Sequence, residues 1–191
     1  MPWVKPPFDT KEFIDGESAA GLLRASDSQG AETDLFIWFA RARAARGVAL
    51  FFSGGPGCGC AQNMLKLGPS KFSGSGLVAN NDSDLTALGL HLVFMDVYPS
   101  AGFSLPAGES SPSPSPDRQC AELAANAVSQ MASEGTMFSK DLPIIFIGYS
   151  YGAKIAAMAA DVLLETHPEL PLRDVVFDAA LIDRIGLTHG W

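Results

Sequence analysis

The sequence predicts an α/β fold, a mixed sheet with a mainly parallel centre and helices on its faces. Two observations carry that expectation. Val48-Ala-Leu-Phe-Phe52, Leu88-Gly-Leu-His-Leu-Val-Phe-Met95 and Leu142-Pro-Ile-Ile-Phe-Ile147 are apolar runs of strand length, apolar throughout and therefore suited to burial on both faces. From the middle of the chain onward, strands alternate with helical patterns, and residues that carry chemistry follow the strands.

Taken in order, residues 1–34 are polar and interrupted. Ser18-Ala-Ala-Gly-Leu-Leu-Arg24 reads as a short strand, and Asp27-Ser-Gln-Gly-Ala31 as the turn into a hairpin partner. Leu35-Phe-Ile-Trp-Phe39 is that partner. Arg41, Arg43 and Arg46 lie in a solvated connection. The strand at 48–52 runs into Ser53-Gly-Gly-Pro-Gly-Cys-Gly-Cys60, whose glycines leave backbone amides uncovered, so that the loop can wrap an anion or a developing oxyanion. It lacks the Gly-Lys-Ser/Thr of a P-loop. Residues 61–67 form one or two helical turns ended by Gly68-Pro69. Residues 70–84 read as a surface loop. The next strand closes with Asp96 and buries His91 as a core or edge histidine. Residues 97–104 form a loop at that strand's C-terminal end, the edge where open α/β sheets bind ligands.

Residues 105–116, with Ser-Ser-Pro-Ser-Pro-Ser-Pro, read as a mobile Ser/Pro-rich loop within a single domain spanning 1–191. A helix is predicted from Asp117, as N-cap, to Glu134. A further helix runs from Gly152 to Thr166, with Ile155, Ala159, Val162 and Leu163 on one face and His167 as a cation at its end. Val175-Val-Phe177 is the last strand.

Between the strand at 144–147 and the helix after it lies Gly148-Tyr-Ser-Tyr-Gly152, a G-x-S-x-G in the strand–turn–helix setting of a nucleophile elbow. The turn at the serine is so tight that side chains at the flanking glycines would strike the strand or the helix. Its product is a hydroxyl held clear of the sheet, with a helix N-terminus and the following amide ready to stabilise negative charge.

Composition excludes several classes. The formal net charge is −8 and the pI about 4.7, which disfavours nucleic acid as a partner. No run of 18 apolar residues points to a membrane span, and Met1-Pro-Trp-Val-Lys-Pro-Pro breaks too soon for a signal peptide. Cys58, Cys60 and Cys120 are too few for a disulfide framework or a zinc site, leaving open one disulfide from Cys120 to Cys58 or Cys60. No metal and no cofactor is expected.

Five motifs in order along the chain resemble the serine carboxypeptidase family of α/β-hydrolases, in look most like its retinoid-inducible branch. They are the aromatic strand 35–39, Phe51-Phe-Ser-Gly-Gly-Pro-Gly-Cys58, Leu67-Gly-Pro69, Leu92-Val-Phe-Met-Asp96 with Gly102-Phe-Ser104, and the Ser150 elbow. The resemblance implies an α/β-hydrolase-like sheet, incomplete at its C-terminal end. It makes Ser150 the nucleophile of an acyl-enzyme and the amides of Gly55 and Tyr151 the oxyanion hole, acting on a peptide or ester substrate. It also implies a secretory, vacuolar or lysosomal setting.

Substrate-carboxylate binding in the family uses an Asn in the Gly-Gly-Pro-Gly loop, a Glu just before the nucleophile and a Glu just before Leu-Gly-Pro. Ser53, Tyr149 and Lys66 stand at these positions, beside Gly54, so the acidic pair is absent. The family's Asp and His lie well beyond the strand at 175–177. Here the downstream histidines are His167 and His189, the latter with Asp178 or Asp183 as a partner in Ser…Asp…His order. The chain therefore reads as the N-terminal portion of a longer hydrolase or a truncated product. The alternatives are a non-catalytic homologue and an esterase or acyltransferase relative.

Overall fold

The computed structural model describes residues 18–74, 76–99, 101–106, 116–134 and 137–180. Strands β1 (Ser18–Ser26) and β2 (Glu32–Ala40) form the predicted hairpin, with Ser26 opposite Glu32. Its turn is pinned by Asp27, whose Oδ1 accepts from the amides of Gln29 and Ala31, both at 2.9 Å. Gly30 takes φ +81° there. β3 (Gly47–Phe52), β6 (Leu90–Met95), β8 (Ile144–Tyr149) and β9 (Leu172–Asp178) complete the main sheet in the order β1-β2-β6-β3-β8-β9. β6, β3, β8 and β9 are mutually parallel, whereas β1–β2 and β2–β6 pair antiparallel. The mixed sheet with a parallel centre is the one expected.

The strands feed two cores alternately. Val48, Leu50 and Phe52 of β3, with Val93 and Met95 of β6, face α2 (Pro116–Glu134) and α3 (Gly152–Thr166). Ala49 and Phe51, with Leu92 and Phe94, face the other way, toward Met64 of α1 (Ala61–Leu67). This period of two with both faces covered gives three layers. α2 and α3 meet the sheet through alanines, among them Ala124, Ala127, Ala156 and Ala159, all fully buried.

Three expectations are corrected. Residues 70–84 are not all loop: β4 (Ser70–Ser73) and β5 (Gly76–Ala79) form a small hairpin of their own, followed by a 3-10 turn at Leu85–Leu88. Leu105–Pro106, assigned to the Ser/Pro-rich loop, is a two-residue strand β7 on β2, since its backbone meets that strand's free ladder groups at Thr33 and Asp34. The rest of that loop, 107–115, lies outside the described residues. Asp117 is not an N-cap. Pro116 already lies in α2, a first-turn position that suits a residue with no N–H, and the Asp117 carboxylate is turned to other partners.

The basic connection is solvated as expected, with Arg41, Arg43 and Arg46 all exposed. Buried His91 accepts a hydrogen bond at Nδ1 from the amide of Ala42 at 3.0 Å. Burial, aided by the charge of Arg41, holds its basicity down. The three cysteines are free thiols, so the disulfide left open is not formed. Among the described residues no helix is long and apolar enough to cross a membrane.

Candidate active site

Because β3, β6 and β8 run parallel, the loops that leave their C-terminal ends share one edge of the sheet. Those loops are 53–60, 96–104 and the turn at Ser150. At the turn, Ser150 takes φ +54°, a left-handed conformation that costs a side-chain-bearing residue energy. The two glycines permit it. A Cβ on Gly148 would lie 2.4 Å from Ala153 Cα, and one on Gly152 would lie 2.1 Å from the Phe52 carbonyl oxygen. Both distances are forbidden, so the serine is held where helix α3, strand β8 and the end of β3 cross at their closest. The Ser150 amide donates to Asp178 O at 2.9 Å, tying the turn to β9.

The glycine-rich loop lies against this turn. A Cβ on Gly54 would be 2.9 Å from Ser150 Cβ and 3.5 Å from Ser150 Oγ. Gly55 is exposed, with φ +119°, a region that glycine alone enters at little cost. Tyr151 stands at the N-cap of α3, where an amide has no carbonyl one turn back to serve. The Ser150 side chain, the Gly54 backbone and the head of α3 thus lie together at this turn.

The remaining predicted residues make separate contacts. Ser53 is buried and its Oγ accepts from Asn63 Nδ2 at 3.1 Å, which fixes the loop to α1. Tyr149 is exposed, and the ammonium of Lys66 lies 5.8 Å from the centre of its ring. Lys66 and Tyr149, the residue before the serine, are therefore joined by a cation–π contact.

Sequence reasoning missed what holds these loops. Asp96, buried at the end of β6, accepts from the Cys60 amide through Oδ1 and from the Phe103 amide through Oδ2 at 2.9 Å. Its backbone oxygen accepts from Ser104 Oγ at 2.6 Å, and that hydroxyl accepts in turn from the Phe36 amide at 2.7 Å. One carboxylate thus joins the glycine-rich loop to the loop after β6. Burial, with the Asp96 charge close by, pushes the Cys60 thiol well up. The available signal was an Asp closing a buried strand, followed six residues on by a glycine. Gly102 lies so close that a Cβ there would overlap the Asp96 carboxylate, at 1.9 Å from Oδ2.

A second carboxylate holds the head of α3. Asp117 accepts from Tyr151 Oη at 2.7 Å, Lys154 Nζ at 2.7 Å and Tyr98 Oη at 3.3 Å. Burial works against its charge, but the hydrogen bonds from Lys154 and Tyr151 outweigh it and hold the carboxyl below its ordinary range. Burial is also the main cause of the strong upward shift of Tyr98.

No described histidine reaches the serine. His91 lies near the start of β6, at the opposite edge of the sheet. His167 caps the far end of α3, a helix of 15 residues, so about 22 Å of helix separates it from Ser150. Its Nδ1 lies 3.2 Å from Ser129 Oγ and 3.6 Å from Glu169 Oε1. His189 and Asp183 lie outside the described residues, and Asp178 is exposed at the end of β9.

Comparison with known proteins agrees with this architecture. The family model described as serine carboxypeptidase matches residues 6–183. Among solved structures, the chain is similar to Kex1(delta)p, a prohormone-processing carboxypeptidase from Saccharomyces cerevisiae. The identity is 19% and the TM-score 0.68, over 91% of this chain and 41% of that one. It is similar to Candida antarctica lipase A in its closed state at 12% identity and TM-score 0.59, covering 94% and 41%. The α/β hydrolase GrgF from Penicillium sp. gives 15% and 0.56, covering 89% and 47%. These likenesses carry the α/β-hydrolase fold, and the chain spans less than half the length of each of the three. A search of curated protein sequences returns no match.

Proposed function

The chain belongs to the serine carboxypeptidase family, and from that premise we propose that it carries the nucleophile of a hydrolase that releases C-terminal residues from peptides through an acyl-enzyme on Ser150. The observation that carries the reading is the left-handed backbone at Ser150, possible only because Gly148 and Gly152 lack side chains. In this reading Ser150 Oγ attacks the scissile carbonyl. The negative charge that develops on the carbonyl oxygen is received by the amides of Gly55 and Tyr151. Collapse expels the amine and leaves the acyl group on Ser150, and water then releases it. The proton from Ser150 Oγ passes to a base supplied from outside the described residues and from that base to the leaving amine. Ser53, Gly54, Lys66 and Tyr149 line the substrate side.

The test is labelling by a fluorophosphonate probe, with Ser150→Ala as control, in this chain and in any longer protein that contains it. Labelling that depends on Ser150 is expected where the base is present. Its absence in a longer protein that supplies a histidine and an aspartate would sink the reading.

A second reading, a non-catalytic homologue, is favoured by the remoteness of His91 and His167 from the serine. Turnover of a peptide or ester by this chain, abolished in Ser150→Ala, would exclude it. Comparing a blocked dipeptide with its matched ester separates a peptidase from an esterase or acyltransferase. The fold it shares with a lipase keeps that comparison pertinent.

A further inference from the structure

The amide assigned above to the oxyanion, that of Tyr151, sits on a helix head with no cap of its own. Tyr151 occupies the N-cap of α3, and its side chain makes no capping bond to the helix. A Ser, Thr, Asp or Asn at an N-cap holds the first turn by accepting from its amides. Close packing fixes one side of this turn, where Gly152 meets the Phe52 carbonyl. The other side is held from a distance, through the Tyr151 side chain.

That side chain is gripped twice. At its tip, Tyr151 Oη donates to Asp117 Oδ2 at 2.7 Å. On its ring, the Lys154 ammonium lies 5.5 Å from the centre. Tyr151 and Lys154 are three residues apart and share one side of α3, and Lys154 Nζ donates to the same Asp117 Oδ2 at 2.7 Å. Asp117 is itself held. It lies in the first turn of α2, where a negative charge suits the helix dipole, and its Oδ1 accepts from Tyr98 Oη at 3.3 Å. Tyr98 belongs to the loop after β6, so this carboxylate ties α2, α3 and that loop together.

An oxyanion donor is effective only when it is aimed at the oxygen. With φ of Tyr151 at −61°, in the helical well, its amide plane and its Cα–Cβ bond turn together. A phenol anchored at its far end is then a long lever against rotation of the helix head. We propose that Asp117 is a positioning residue for the oxyanion hole, aiming the Tyr151 amide by holding the Tyr151 phenol. The effect on catalysis rests on the Ser150 reading; the hold on the amide does not.

The test compares Asp117→Ala, Tyr151→Phe and the double variant with the parent, in the full chain and in any longer protein that contains it. The rate of fluorophosphonate reaction at Ser150 is measured against probe concentration. Each single variant is expected to lower the maximal rate about ten-fold, a part of the ~100- to 1,000-fold that follows loss of a donor outright, with the half-saturating concentration unchanged. The double variant is no slower than the slower single one, because both act through one link. Ser129→Ala, which breaks the contact with His167 at the far end of the same helix pair, leaves the rate unchanged. Rates equal to the parent's, losses that add in the double variant, or an equal loss in Ser129→Ala overturn the proposal. In amide NMR spectra of the full chain, Asp117→Ala should also shift the Tyr151 amide and speed its hydrogen exchange about ten-fold. An unmoved Tyr151 amide overturns the proposal whether or not Ser150 reacts. A parent that does not label, with a Tyr151 amide that does move, counts against the hydrolase reading alone.

Discussion

Ser150 owes its conformation to atoms that its neighbours lack. A methyl group at Gly152 would have to displace the Phe52 carbonyl, which belongs to the backbone of a buried strand and has little room to move. Gly152→Ala is therefore expected to lose at least about 2 kcal/mol of stability, in the range of overpacked cores, as read from the denaturant midpoint. Gly74→Ala, with nothing within 4 Å of the added atom, should stay within about 0.5 kcal/mol of the parent. Equal midpoints for the two variants would refute the close crossing at the elbow. Asp96 makes the complementary case, since its carboxylate accepts from two amides that have no other side chain to meet. In Asp96→Asn one amide N–H must face an NH₂ group. A loss of about 1–3 kcal/mol is expected, together with faster hydrogen exchange at the Cys60 and Phe103 amides. Unchanged exchange at both would show that the loops do not depend on the carboxylate.

Among the elements, α2 and α3 are joined at their N-terminal ends by Asp117, which receives Tyr151 and Lys154 from the second helix. Its carboxyl is held low in the folded chain, so the contribution to stability is present above the unfolded value near 4 and fades as pH falls through the lower folded value. Asp117→Asn should therefore be less stable than the parent at pH 7, with the gap narrowing below about pH 4 in urea melts across that range. A gap that stays constant with pH would remove the charge from the explanation. The same helix shows where sequence reading reached its limit. An aspartate beside a proline at a helix start is the pattern of a cap, and nothing local tells that tyrosines from 98 and 151 will converge on it. The apolar strands and the G-x-S-x-G were legible because their signals are local: period, run length and glycine at a forced turn. The β4–β5 hairpin was not. Its Ser, Lys and Gly content reads as loop, and its pairing is secured by Asn80 reaching back to residues 66–69. The loop-joining role of Asp96 was hidden likewise, since its partners lie 36 and 7 residues away.

On the scale of the whole molecule, the same strands supply both cores. β2, β3 and β6 send successive side chains to the α2–α3 side and to the α1 side, so neither layer can detach without stripping a face from the same strands. That arrangement joins the α1 side to the α2–α3 side through the sheet. It also makes a clear demand on unfolding. Trp38 reports the α1 side, where it is buried, whereas helical circular dichroism is dominated by α2 and α3 on the other. With Trp3 and Trp191 replaced by Phe, the fluorescence of Trp38 and the far-ultraviolet signal should follow one transition with a shared midpoint, as a two-state chain requires. Phe146→Ala, which empties a fully buried site on the α2–α3 side, should lower both midpoints together, with a loss of about 3–5 kcal/mol. If the α1 side melted at its parent midpoint while the helical signal fell early, the two cores would be separate units. The alternation of side chains along β3 and β6 would then have no energetic consequence.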